Sequence, residues 1–387
     1  MIFSLRAGAL LRGKDGNLRR WAAFLLTLAL LALSGCGVFG GKDAAPGLLE
    51  TAAGFSAPRA VAEADGETIG SRSYLYWLGR NCAYLAEALT AQGREVQWNQ
   101  GTQGETLGDA AKSAALRTAA LYALLPKLAE EAGVTWEDAD AAAIREARQA
   151  KIESLGGEDA WASHLARWGL SEADAEAFAR CHRLYARLLE ESRTEGSAAY
   201  LSPEDIAAYA EKQGLRTVAL LAVADSAQAE AIRTELAAGA DLPAAFAAKA
   251  EAVSVWPTQT VTLGLDEALP EAVSQAAKAL TPGQLSAVVT AEGRSFLLLG
   301  RELDQEAAAQ ALFDQRLNAR AEQAEIQLLA AYEDIDPGKF YPALTAAQAA
   351  LDASGGSGQP AASDPASGSA DPAGSSADPA ASGAAIP

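Results

Sequence analysis

Histidines and paired carboxylates are the side chains of this sequence that could do acid–base or metal chemistry. The sequence contains two histidines, His164 and His182. Neither has another histidine four residues away or a carboxylate at a repeated ligand spacing, so we expect satisfied surface or boundary histidines rather than metal ligands. Acidic pairs such as Glu190 and Glu191 are typical of solvated helix faces. The sequence also lacks a Gly-rich phosphate loop and a nucleophile elbow, and we therefore predict no metal site and no cofactor.

Cysteines are the remaining reactive side chains, and there are three of them. Cys82 and Cys181 occupy apolar positions of predicted helices, where a cysteine usually behaves as a small buried hydrophobic residue. A disulfide between Cys82 and Cys181 is the alternative, because an oxidising compartment outside the cytoplasm permits one. The spacing alone does not establish that the two side chains face each other at bonding distance.

The third cysteine, Cys36, follows a positively charged N-terminal region and an apolar run from Trp21 to Leu33. A helix over that run is roughly 20 Å long, short of the ~30 Å hydrocarbon core, so residues 1–35 are predicted to be a signal peptide. The sequence Leu33-Ser34-Gly35-Cys36 resembles a bacterial lipobox, which implies cleavage before Cys36 and lipidation of its thiol. An ordinary signal peptide with an incidental cysteine is the alternative. We expect a lipid-anchored protein on the extracytoplasmic face of the cell membrane.

The charge of the chain excludes two classes of partner. The formal net charge is −19, and loss of the basic signal peptide leaves the mature chain still more acidic. Such a protein repels nucleic acid and anionic lipid headgroups. We therefore expect no nucleic-acid partner and membrane attachment through lipid on Cys36 alone.

The elements between Gly214 and Leu303 form the most informative pattern of the chain. An apolar strand at 217–223 precedes a helix capped by Asp225, a second helix after Asp241, a Pro-Gly turn and two further strands. The phrases ADSAQAEAIRTELAAGADLPAAFA, LPEAVSQAAKALTPGQLS and EGRSFLLLGRE resemble a parvulin-type peptidyl-prolyl isomerase domain. On this resemblance we assign residues 201–303 to a parvulin-like domain.

The polar residues implied by the parvulin resemblance are missing from this sequence. Leu220 stands where the family carries a histidine in its first strand, and Phe296 lies where a second histidine is expected in the last strand. No histidine follows His182, so a shifted alignment does not restore either position. The resemblance therefore implies an isomerase fold without its catalytic residues, which leaves the enzyme assignment uncertain. We take Leu220, Phe246 and Phe296 as candidate peptide-binding residues instead.

The segments flanking this domain are predicted to be helical. A Ser71-capped helix after an extended VAxxxGxxI segment, and helices that end at glycine before an acidic cap, resemble the SurA/PrsA-type foldases. The resemblance implies a helical chaperone domain over 59–200, completed by a C-terminal helix over 304–342, so that the fold is α+β and mostly α. We expect Gln305 to Tyr332 to form one long helix. Aromatic side chains that could contact unfolded chains, or simply pack the core, are Tyr74, Trp77, Tyr84 and Trp161.

Two segments have compositions that favour extended or disordered chain. Residues 36–58 are rich in Gly and Ala and are predicted to be a tether between the lipid and the folded part. Residues 343–387 are predicted to be a disordered tail of Ala, Ser, Pro, Gly and Asp. The near-repeats SDPAS, SADPAG and SADPAA lie within this tail.

Together these features favour a lipid-anchored extracytoplasmic folding factor that binds unfolded or nascent exported polypeptides without prolyl isomerase catalysis. An active parvulin-type isomerase is one alternative. A scaffold lipoprotein that serves one dedicated envelope partner is the other.

Overall fold

The computed structural model describes residues 46–102, 105–239, 241–256, 260–265 and 269–355. The predicted signal peptide, Cys36 and the end of the tail beyond Gly355 lie outside the described residues. Among the helices in the described ranges, none combines the length and apolar character required to cross a membrane. Most of the described chain is helical, with short antiparallel sheets, which confirms the predicted α+β class.

The chain before the parvulin-like segment is built of helices joined by short connections. Three of them begin at a side-chain cap: Thr106 with Asp109, Ser171 with Asp174, and Ser202 before Pro203. At Ser171 the hydroxyl accepts the amide N–H of Asp174 at 3.2 Å, and the Asp174 carboxylate accepts the amide N–H of Ser171 at 2.7 Å. This reciprocal pairing satisfies two amide groups that a helix end otherwise leaves open. The elements are α1 (Leu48–Ala52), β1 (Ala60–Ala64), β2 (Glu67–Gly70), α2 (Ser71–Ala91), β3 (Gly101–Thr102), β4 (Glu105–Thr106), α3 (Leu107–Glu131), α4 (Asp138–Leu155), α5 (Glu158–Arg167), α6 (Glu172–Glu191) and α7 (Pro203–Gln213).

The parvulin-like segment contains a four-stranded antiparallel sheet with helices on both faces. The strand order is β6-β5-β8-β7, so the first and last long strands lie side by side in the middle. Leu221 and Leu297 point towards α8 and α9, whereas Leu220 and Leu298 point towards α10, as the two-residue period of a strand requires. Its elements are β5 (Arg216–Val223), α8 (Ser226–Ala237), α9 (Leu242–Val253), β6 (Thr260–Leu263), α10 (Glu271–Lys278), β7 (Val289–Ala291) and β8 (Arg294–Arg301).

The chain after this sheet returns to the N-terminal helices. Phe313 and Leu344 are buried in the same core as residues of α2, α3 and α6. Phe313 packs against Tyr185 with ring centroids 5.4 Å apart. The Lys112 ammonium group donates to the Tyr332 carbonyl oxygen at 2.9 Å. The returning elements are α11 (Gln305–Gln323), β9 (Ile326–Leu328), α12 (Ala330–Glu333) and α13 (Pro337–Gly355).

The prediction of one helix from Gln305 to Tyr332 is wrong, because α11 ends at Gln323. The next residues turn into β9, which pairs antiparallel with β1. Asp65 holds this turn, since its carboxylate accepts the amide N–H of Glu325 at 2.8 Å and an N–H of the Arg320 guanidinium at 2.7 Å. Leu328, expected on the buried face of the long helix, is 44% exposed. A partner strand more than 250 residues earlier, which no local pattern reveals, decides this ending.

The predicted tether and tail both extend too far into the folded part. Residues 48–52 of the tether segment form α1, and Leu49 and Phe55 are buried. Residues 343–355 of the tail segment continue α13, whose Leu344 is 1% exposed. The few large apolar residues of these segments bury against α2 and against each other, and this packing outweighs their Ala-rich and Gly-rich composition.

Candidate functional site

The sheet face that carries Leu220 and Phe296 is the place where the parvulin resemblance puts a catalytic site. In the register of β5 and β8, Leu220 lies opposite Leu298 and Ala222 lies opposite Phe296. The two candidate residues therefore belong to one face, but Leu220 is only 1% exposed and Phe296 is fully buried. The side chains of this cluster are apolar, with Val273 and Ala277 of α10 covering the strands.

Trp256 closes one side of this sheet face. Its ring meets Phe296 edge to face at a centroid distance of 5.7 Å, and the Arg294 guanidinium lies 4.8 Å from the centroid of the indole. The loop that carries Trp256 is bonded to the sheet, because the Ser254 hydroxyl accepts the amide N–H of Ala222 at 3.2 Å and donates to the Trp256 carbonyl oxygen at 2.7 Å. Within the described residues, Trp256 and its loop thus cover this side of the sheet face.

Phe246, the third candidate from this segment, lies on the opposite side of the sheet. It is 1% exposed and packs with Leu221 and Leu297 beneath α8 and α9. Burial therefore leaves none of Phe246, Leu220 and Phe296 at a surface that a peptide could contact. All three are apolar core residues of the two layers that enclose the sheet.

The aromatic candidates of the helical part are also mostly core residues. Tyr74, Trp77 and Trp161 are between 0% and 3% exposed, and only Tyr84 is half-buried. Trp77 packs against Tyr122 with ring centroids 5.1 Å apart. The alternative that these aromatic rings pack the helix bundle is correct for Tyr74, Trp77 and Trp161.

An exposed groove between α4, α5 and α6 contains Trp136, an aromatic residue that was not among the sequence-predicted candidates. Trp136, in the connection before α4, is 37% exposed, and the Arg180 guanidinium lies 4.7 Å from the centroid of its ring. The groove encloses about 460 Å³, and Trp161 forms part of its wall while its indole N–H donates to Glu172 at 2.7 Å. Trp136 lies next to Glu137, the N-cap of α4, and a large aromatic side chain beside a helix start is the signal that could have identified it.

Three arginines give this groove a charge unlike that of the chain as a whole. Arg145, Arg148 and Arg180 line it beside Glu172 and Glu176, and Arg148 is bonded to Glu172 at 3.0 Å. The hydrogen bonds from Arg148 and Trp161 hold the pKa of Glu172 below its usual value, against an opposing effect of burial. The groove therefore offers an aromatic surface beside fixed positive charge.

His182 and Cys82 are both buried in the helical part of the chain. His182 is buried rather than at the surface, its Nε2 has no hydrogen-bond partner within the described ranges, and burial lowers its pKa to about 3. Cys82 is a free, buried thiol whose pKa is raised by burial, so it does not form the disulfide with Cys181 that stood as the alternative. In the parts of the chain that the structure describes, no three His, Cys, Asp or Glu side chains form a cluster suited to a metal ion.

Comparison with known protein families identifies the segment that contains the four-stranded sheet. Residues 204–307 match the family model of the PPIC-type PPIASE domain. The chain therefore carries a parvulin-type prolyl isomerase domain, and the predicted resemblance is confirmed for this segment. No curated protein matches the chain.

Solved structures similar to part of the chain include PrsA from Bacillus subtilis, with 16% identity over 63% of this chain and 88% of that chain, and a TM-score of 0.28. The foldase protein PrsA from Streptococcus pneumoniae is 14% identical over 65% of this chain and 92% of that chain, with a TM-score of 0.30. A SurA-like chaperone from Campylobacter jejuni is 10% identical over 70% of this chain and 99% of that chain, with a TM-score of 0.22.

Proposed function

We propose that this chain, which carries a parvulin-type domain, is an extracytoplasmic folding factor that binds unfolded exported polypeptides without isomerising their prolyl bonds. The observation that carries the proposal is the filled sheet face of that domain. Apolar side chains occupy the positions of the expected histidines, at Leu220 and Phe296, and both residues are buried. The match to the PPIC-type domain supports a role in protein folding, and the closed face argues against catalysis.

A chain can keep the isomerase fold and still lack the activity, because catalysis requires particular polar groups beside the proline ring. Rotation about an X-Pro bond has a barrier of ~18–20 kcal/mol. An enzyme lowers it by holding the proline ring beside polar groups that stabilise the twisted amide. The matched segment 204–307 contains no histidine in its sequence, and Trp256 with Phe296 fills the space above the strands. The missing histidines and this packing support a domain that keeps the fold of an isomerase without its catalysis.

Client binding is proposed to use surfaces outside this sheet. The groove beside Trp136 is the candidate best supported by geometry, because it combines an exposed indole ring with apolar wall residues and a volume of about 460 Å³. Aromatic surface contacts unfolded segments with little dependence on their sequence. Such contacts suit a protein that must hold many clients briefly.

Attachment to the membrane through lipid on Cys36 is part of the proposal and is supported by the sequence pattern before that residue. Metabolic labelling with a fatty-acid analogue tests it. The wild-type chain is expected to carry the label and to fractionate with membranes, and the Cys36→Ser variant is expected to lose both properties. Labelling of Cys36→Ser at the wild-type level would contradict lipidation at this residue.

The proposed function is tested with the full chain in two assays run side by side. In a protease-coupled assay with a proline-containing tetrapeptide, we expect no acceleration above the uncatalysed rate. In an aggregation assay with several unrelated unfolded proteins, we expect the chain to suppress light scattering. Acceleration of the tetrapeptide would establish an active isomerase, and suppression restricted to one partner would favour the scaffold alternative.

The Trp136→Ala variant connects the aggregation assay to the groove. Loss of the exposed indole ring is expected to weaken client protection, while the Trp256→Phe variant, altered at the closed sheet face, is expected to keep it. Equal protection by both variants and the wild type would remove the groove from the proposal.

A further inference from the structure

We infer that the Asp-Pro tail of the chain, residues 356–387, binds in the groove between α4, α5 and α6 that contains Trp136. The tail contains three Asp-Pro dipeptides, at Asp364, Asp371 and Asp378, which are spaced seven residues apart. It contains no Lys, Arg or Glu, so its charged side chains are all negative. The contact would be a built-in competitor for the surface that we propose for clients, and only this consequence rests on the proposed function.

Charge complementarity selects the tail as the occupant. Within the described residues, neither Arg145 nor Arg180 forms an ion pair, although both line the groove. The chain as a whole has a net charge of −19, so most of its surface repels an acidic segment. The groove, with two arginines that form no ion pair within the described residues, attracts an acidic segment.

The side-chain chemistry of the groove also fits proline. Proline-rich segments dock on aromatic surfaces because their extended conformation is already formed and little entropy is lost on binding. The exposed ring of Trp136 offers such a surface, and the Arg180 guanidinium at 4.7 Å from its centroid lies where an adjacent aspartate can be reached. In one Asp-Pro unit, the proline ring can pack on Trp136 while the aspartate carboxylate pairs with Arg180 or Arg145.

The start of the tail lies close to the groove. Asp352, near the end of α13, forms an ion pair with Arg167 at 3.2 Å, and the Gln348 amide donates to the Arg167 carbonyl oxygen at 3.0 Å. Arg167 is the last residue of α5, and Trp161 of the same helix belongs to the groove wall. Trp161 and Arg167 are six residues apart in this helix, which is about 9 Å along its axis. Asp364 follows Asp352 by twelve residues, which span up to about 40 Å when extended, so every Asp-Pro unit can reach the groove.

Covalent connection makes such a weak contact effective. A short flexible connection holds a segment at an effective concentration in the millimolar range. Three equivalent Asp-Pro units further raise the fraction of time that one of them is bound. A free client must therefore compete with the tail, and tight or abundant clients displace it.

Photocrosslinking within the full chain tests the inference. The photoreactive residue p-benzoylphenylalanine replaces Ser367, between the first two Asp-Pro units, and the irradiated protein is digested with trypsin. The tail stays in one tryptic peptide, because no Lys or Arg follows Lys339. We expect intramolecular crosslinks from this peptide to those that contain Trp136 and residues 173–180.

Charge variants decide whether the crosslink reports the proposed contact. The Arg145→Gln/Arg180→Gln double variant should lower its yield about two- to fivefold for each ion pair removed, and added salt should lower it too. The triple change of Asp364, Asp371 and Asp378 to Asn should do the same. Arg233→Gln, at an exposed arginine of α8, is the matched control and should leave the yield unchanged. An unchanged yield in the double variant, crosslinks mainly to α1 and α13, or crosslinks between two copies would overturn the inference.

A competition arm separates this inference from the proposed function. Reduced carboxymethylated α-lactalbumin, a permanently unfolded protein, is added before irradiation and should lower the yield of the crosslink. A crosslink that resists this competitor leaves the tail contact established and removes the groove as the client site. Client protection without any crosslink would support the proposed function and overturn the tail contact.

Discussion

At the scale of single residues, burial rather than residue type decides what each side chain can do. His182 would titrate near neutral pH in solvent, but its burial lowers the pKa to about 3. Trp136, next to the N-cap of α4, stays partly exposed while Trp161 is 1% exposed, although both line one groove. Trp136 thus presents its ring to solvent, whereas Trp161, which was a sequence-predicted candidate, forms part of the wall.

The buried His182 is expected to make the protein sensitive to acid. Its folded-state pKa lies below the unfolded value of about 6.5, so the unfolded chain binds the extra proton. The stabilising effect of the neutral ring is complete above about pH 6.5 and is lost as the pH falls towards 3, at about 1.4 kcal/mol for each pH unit. Urea unfolding between pH 7 and pH 4.5 should show a shallower decline for His182→Gln than for the wild type. Parallel declines would contradict the assignment.

At the scale of secondary-structure elements, distant partners set where helices end and which segments fold. β9 replaces the last turns of the expected long helix because β1 offers an open edge and Asp65 binds the connecting backbone. α13 continues into the segment expected to be disordered, residues 343–355, because Leu344 enters the core beside α2 together with Phe340. At Gly79 of α2, an added Cβ would lie 2.9 Å from the Leu344 side chain, so the two helices approach closely.

Truncation of Leu344 tests whether α13 contributes to stability. The Leu344→Ala change removes a fully buried side chain and is expected to lower the free energy of unfolding by about 2–5 kcal/mol. Chemical denaturation followed by circular dichroism measures this difference. Ala349→Ser, at an exposed position of the same helix, should change it by less than about 0.5 kcal/mol. A neutral Leu344→Ala would mean that this helix is a disordered tail after all.

At the scale of the whole molecule, two regions far apart in sequence share one core. The helices before the parvulin-type domain pack with α11, α12 and α13, which follow it. Buried charges also cross-link distant elements: Arg72 of α2 bonds Glu50 of α1 at 3.1 Å and Asp174 of α6 at 3.3 Å. The four-stranded sheet has cores of its own, and a small cluster around Leu215 and Ala308 joins the two parts.

This division predicts how a core change spreads through the molecule. Phe313→Ala in α11 is expected to cost about 3–5 kcal/mol in the shared helical core. Native-state hydrogen exchange should then show faster exchange in α2, α3 and α6, which are more than 100 residues away, and unchanged protection in β5 and β8. Loss of protection restricted to α11 would contradict a shared core. Equal losses in the sheet would mean that the molecule unfolds as one unit.

The sequence by itself determined several helix starts, the order of the parvulin-type elements and the loss of the expected histidines. Ser71, expected to cap α2, is instead its first residue, and Gly70 is the N-cap. Caps such as Ser171 and Ser202 bond to an amide within one helical turn, so they can be recognised from a few neighbouring residues of the sequence. Only the tertiary structure decided that Leu220 and Phe296 are buried, that β9 pairs with β1 and that α1 and α13 belong to the core. These outcomes depend on which distant surfaces meet, because burial is a property of the packed chain rather than of a residue and its neighbours in sequence.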